Sequence, residues 1–63
     1  MPIAQINIMP GRTDEQKAKM IAAVTEAIAE TLGAPRESVR VLVHEVPSTQ
    51  WGIGGQTAKS LGR

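Results

Sequence analysis

The sequence predicts an α+β protomer of β-α-β order, with a parallel strand pair and a short C-terminal hairpin. Three observations lead there. Apolar and polar residues alternate near the N-terminus and again from residue 38, which is the period of strands. Between those stretches apolar residues recur at helical spacing behind a capping sequence. Gly52-Ile53-Gly54-Gly55 then offers the glycines that a tight hairpin turn requires.

The first strand runs from Pro2 to Met9, where Ile6 and Ile8 alternate with Gln5 and Asn7, and Pro10-Gly11 breaks it. Thr13-Asp14-Glu15-Gln16 is a capping box, with Thr13 placed to cap and Gln16 to reach back. The helix that follows should reach about Leu32. Met20, Ile21, Val24, Ile28 and Leu32 lie within ~120° on a helical wheel, opposite Glu15, Lys19, Glu26 and Glu30. Gly33 suits the left-handed position that ends a helix, and Pro35 prevents its resumption. The second strand is expected from Ser38 to Val46, and the run Val41-Leu42-Val43 suggests burial on both faces. Gln56 to Arg63 carries no periodicity that assigns it.

A helix of ~19 residues between two strands implies a parallel pair with a right-handed crossover. Two strands and one helix leave both sheet edges and one sheet face unprotected. Size leads to the same point. A chain of 6.7 kDa buries only roughly 5,800 Å² on folding, and without cysteine it has no disulfide to add. One domain over residues 1–63 that gains stability by oligomerising is the expectation. Edge-to-edge pairing of two protomers would build a four-stranded sheet carrying two helices.

Composition excludes several classes of function. Seven basic and six acidic residues are mixed along the chain for a net charge of +1, so no charge block invites nucleic acid or an anionic membrane. No segment approaches the ~18 apolar residues of a membrane span, and the N-terminus lacks the pattern of a signal peptide. A cytoplasmic location is the default. His44 is the single histidine, so a Ser-His-Asp set cannot form, and no dense carboxylate or histidine cluster suggests a metal. The glycines at 52, 54 and 55 follow no strand-to-helix junction and lack the lysine of a phosphate loop.

What remains is Pro2. Removal of Met1 would expose a secondary amine, which serves as a general base only when neutral. Apolar burial and nearby cations favour the neutral form, and Arg12 and Arg40 could supply the cations if folding and assembly bring them close. Many chains begin Met-Pro without using the proline in catalysis, so the dipeptide alone does not decide the matter.

Five segments taken together do. Pro2-Ile3-Ala4-Gln5-Ile6, Gly11-Arg12-Thr13-Asp14-Glu15-Gln16-Lys17, Ala34-Pro35, Ser38-Val39-Arg40-Val41 and Gly52-Ile53-Gly54-Gly55 resemble, in order and spacing over nearly the whole chain, the 4-oxalocrotonate tautomerase family. The resemblance implies a cofactor-free keto–enol tautomerase of 2-hydroxymuconate or a similar 2-hydroxydienoate, in the setting of aromatic-ring degradation. It implies a hexamer built as a trimer of dimers, with active sites shared between subunits. It also implies roles. Pro2 matches the base that takes a proton from one carbon and returns it to another. Arg40 matches the arginine that stabilises charge developing on oxygen, and Arg12 the one that grips the far carboxylate. Trp51 matches an aromatic pocket wall that is usually phenylalanine, and Met9 is expected to line the pocket near the base.

Each assignment has a plainer counterpart. Trp51 could pack an interface, Arg40 could be a solvated strand residue or an interface ion-pair partner, and Arg12 could be a loop charge. His44 reads as a strand-end polar residue. An indole is larger than a phenyl ring, and Asn7, Met9 and Pro10 also depart from the family pattern, which leaves the substrate open. The same base could serve a phenylpyruvate-like enol or add water to a haloacrylate. A non-catalytic oligomeric binding module is the reading from a different class.

Overall fold

A computed structural model describes residues 1–63. Its order is β1 (Ile3–Ile8), α1 (Asp14–Leu32), β2 (Arg40–Glu45), β3 (Gly52–Ile53) and β4 (Gln56–Thr57). Single 3₁₀ turns at Arg36–Ser38 and Ser48–Gln50 punctuate it. β1 and β2 pair in parallel, with Ile3 opposite Arg40 and Ile8 opposite Glu45.

The local signals act as expected. Thr13 Oγ1 accepts from the Gln16 N–H at 3.1 Å, while Gln16 Oε1 accepts from the Thr13 N–H at 2.9 Å. Gly33 takes φ +65° at the C-terminal cap, and the Ala34 N–H reaches back to the Ala29 carbonyl. Gly54 and Gly55, both at positive φ, form the two-residue turn between β3 and β4, where Ile53 pairs with Gln56. β2 begins two residues later than the alternation suggests, because Pro35 leads into the turn at Arg36–Ser38.

The fold is two layers, with α1 laid on one face of the β1–β2 pair. Ala4, Ile6 and Ile8 of β1, with Val41 and Val43 of β2, are half-buried, as are Met20, Val24 and Ile28 of α1. The other sheet face carries Ile3, Gln5, Asn7, Arg40, Leu42 and His44, and all six are exposed. Two sequence expectations change in the single chain. Leu42 is 43 % exposed, since only one face of the sheet has a covering layer. Ile21 and Leu32 fall outside the covered stripe, and Leu32 is 67 % exposed.

Only Val39 and Ala58 are fully buried. The accessible surface of 4657 Å² exceeds the roughly 3,900 Å² of a compact monomer of this mass. The radius of gyration, 14.6 Å over extents of 42 × 24 × 13 Å, compares with about 10.6 Å for a compact chain of this length. A lone chain therefore leaves uncovered much of the apolar surface that would stabilise it. The C-terminal hairpin extends from the body and folds against its own preceding turn. There the Lys59 N–H donates to the Ser48 carbonyl at 3.1 Å, and the Ala58 N–H to the Trp51 carbonyl at 2.7 Å. No helix is long and apolar enough to cross a membrane.

Candidate active site

The five residues singled out in the sequence fall into two groups, one at each end of β1. Met9, Arg12 and Trp51 line one pocket of about 540 Å³ with Asn7, Ile8, Pro10 and Gly11. Pro2 and Arg40 lie at the other end. Six residues of strand separate Pro2 from Met9, about 20 Å at ~3.3 Å per residue. One chain cannot bring both groups to one small molecule.

Local structure explains the first group. Pro10 and Gly11, the latter at φ +128°, turn the chain out of β1 and set Arg12 immediately before the Thr13 cap. Trp51 follows the Ser48–Gln50 turn, and its carbonyl is tied to Ala58 at the foot of the hairpin. Its half-buried ring borders two depressions, the pocket with Arg12 and a second of about 300 Å³ with Asn7, Val46, Gln50 and Gly52. The indole N–H has no acceptor within the chain. Arg12 is exposed and has no carboxylate partner. It also lines a depression of about 260 Å³ with Ile8, Gln16, Lys17 and Met20. An unpaired guanidinium beside an aromatic ring can accept a planar anion.

At the opposite end, Pro2 is half-buried, and its carbonyl accepts from the Arg40 backbone N–H at 2.9 Å. The Arg40 guanidinium is exposed. Its Nη1 donates to the carbonyls of Glu37 at 2.6 Å and Val39 at 3.3 Å. Backbone oxygens thus satisfy part of its donor set within the chain, and no carboxylate neutralises its charge. Met1 precedes Pro2 in this chain, so the Pro2 nitrogen is an amide until Met1 is removed.

Two charge clusters surround these groups. Lys17 Nζ lies 3.1 Å from Glu45 Oε2 and 3.4 Å from Asp14 Oδ1. Its pKa is raised, chiefly by the Glu45 hydrogen bond. Arg36 makes a two-pronged contact with Glu26 at 2.5 and 2.7 Å, which lowers the carboxyl's pKa and raises that of the guanidinium. No three His, Asp or Glu side chains converge on a common point where a metal could bind. Asn7 and Gln50 also border the depressions, although neither was assigned a site role from sequence, since a lone amide in an alternating strand or a turn carries no pattern.

Comparison with known proteins gives the chain's family and relatives. The family described as "Tautomerase enzyme" matches residues 2–60. The 2-hydroxymuconate tautomerases of Stutzerimonas stutzeri and Comamonas testosteroni are 56% and 52% identical, each over 63 residues and the full length of both chains. A solved 4-oxalocrotonate tautomerase isozyme from Methylibium petroleiphilum superposes with a TM-score of 0.92 at 56% identity, covering 98% of this chain and 100% of that one. A heterohexamer 4-oxalocrotonate tautomerase from Chloroflexus aurantiacus J-10-fl gives a TM-score of 0.90 at 36% identity, covering 97% and 98%. With this fold and this match along nearly its whole length, the chain belongs to the tautomerase enzyme family and is an isomerase interconverting keto and enol forms.

Proposed function

We propose that the chain, once Met1 is removed, tautomerises 2-hydroxymuconate or a similar 2-hydroxydienoate in a homo-oligomer whose active sites are shared between subunits. The Pro2 amine takes the proton of the substrate's 2-hydroxyl group and delivers it to a carbon of the conjugated chain, so an O–H bond breaks as a C–H bond forms and the enol becomes a ketone. In between, negative charge gathers on the oxygen of the developing enolate, and a guanidinium fixed there stabilises the transition state more than the ground state. Arg40 has that role. Arg12 grips the far carboxylate and orients the substrate against Trp51 and Met9.

The observation that carries this reading is the unpaired Arg12 guanidinium in one pocket with Trp51 and Met9, a strand's length from its own Pro2. Pro2 and Arg40 of other subunits can reach that pocket only by association, and the open sheet face and extended hairpin leave the surface for it. The relatives named 2-hydroxymuconate tautomerase support the choice of substrate.

The test follows ketonisation of 2-hydroxymuconate by ultraviolet absorbance, with protein whose intact mass shows that Met1 is gone. Turnover well above the solvent rate supports the assignment. A solvent-level rate, together with turnover of an aromatic enol such as that of phenylpyruvate, would reassign the pocket to a monocarboxylate lying on Trp51.

A further inference from the structure

The segment Met9–Arg12 makes no backbone hydrogen bond, although it carries two residues assigned above to the substrate's far end. It is held only where it begins and ends. At its start the Val46 N–H donates to the Ile8 carbonyl at 2.8 Å, and at its end Thr13 caps α1. The first turn of α1 is in turn fastened to the end of β2 by one side chain. Lys17 Nζ donates to Glu45 Oε2 at 3.1 Å, the single side-chain hydrogen bond between this turn and the sheet. The Lys17 side chain is 21 % exposed, and it shares the smaller depression with Arg12.

We propose that Lys17 and Glu45 are a positioning pair that fixes the Arg12-bearing loop and thereby sets affinity for the far carboxylate of a dianionic substrate. The inference rests on the role given to Arg12 above. Two effects act together. The bond sets the distance from the start of α1 to the end of β2, between which the loop is strung. Glu45, together with Asp14 at 3.4 Å, also offsets the charge of Lys17, which would otherwise repel the neighbouring Arg12 guanidinium and turn it from the pocket.

Lys17 could instead attract the substrate directly, and the two roles predict opposite signs. If Lys17 binds the anion itself, removing the Glu45 charge strengthens binding. If the pair positions Arg12, the same change weakens it.

Steady-state kinetics on processed Glu45→Gln, Lys17→Met, the double variant and Lys17→Arg decide between them, using 2-hydroxymuconate and a monocarboxylate enol. Both single variants should raise KM for the dicarboxylate roughly fivefold and change kcat less than about twofold. The double variant should be no worse than either single one, because one interaction is lost once, and Lys17→Arg should restore KM. The monocarboxylate KM should stay the same. A lower KM in Glu45→Gln overturns the proposal, as do additive effects or equal losses with both substrates. Silent Lys17 and Glu45 variants beside a normal Arg12→Ala loss overturn the positioning role alone. An unchanged KM in Arg12→Ala overturns the reading of Arg12, and the positioning role with it.

Discussion

The backbone N–H of Arg40 donates to the Pro2 carbonyl at 2.9 Å, which pins the proposed base through an atom that takes no part in the chemistry. The Pro2 nitrogen is left to its own chemistry, and the Arg40 guanidinium turns to the Glu37 carbonyl. Met1 takes part in neither contact.

Activity should therefore follow the fraction of chains that have lost Met1, read by intact mass beside the absorbance assay. In fully processed protein, Pro2→Ala replaces a secondary ring amine with a primary one and should lower kcat about 100-fold. An unchanged far-ultraviolet dichroism spectrum would confine the loss to chemistry. Full activity in this variant would remove Pro2 from the mechanism.

The two arginines should separate kinetically. Arg40→Ala loses charge stabilisation in the transition state and should lower kcat by roughly 100-fold or more. Arg12→Ala loses a ground-state contact and should raise KM about tenfold with a smaller change in kcat. Equal profiles for the two variants would contradict the division of roles.

Glu26 and Arg36 tie α1 to the turn that leads into β2. The Arg36 hydrogen bond lowers the Glu26 pKa from its ordinary 4.5 in the folded state, so folding favours the ionised carboxylate. This contribution is complete above that ordinary value and is lost as pH falls through the lowered folded one. Both partners are well exposed, so it should be small and weakened by salt. Thermal melts of Glu26→Gln against the parent should differ near neutrality and converge in acid.

With two buried residues per chain, stability should depend on association. Melting temperature should rise with protein concentration. Leu42→Asp, which puts a charge on the open sheet face, should reduce the hydrodynamic size and lower the melt. A melt independent of concentration in the parent would argue for a self-sufficient monomer.

The fold was legible wherever a local interaction decides it. The Thr13–Gln16 box, the Gly33 cap and the Gly54-Gly55 turn each act within a few residues, and each stands where the sequence places it. Helical periodicity alone could not divide Met20, Val24 and Ile28 from Ile21 and Leu32, because what covers each flank of a stripe is set by partners rather than by spacing. The turns at Arg36–Ser38 and Ser48–Gln50 have no repeating pattern to betray them. Residue types suggested the proposed site's members. Their division between the two ends of β1 emerges only from the parallel register and the hairpin.

That division bears on heredity as well as on chemistry. A chain carrying Pro2→Ala still offers a sound Arg12 pocket, and one carrying Arg12→Ala still offers a sound proline. Mixed in one assembly, two impaired alleles should complement each other and recover some fully working sites. A defective allele should likewise damage neighbouring subunits that are themselves intact.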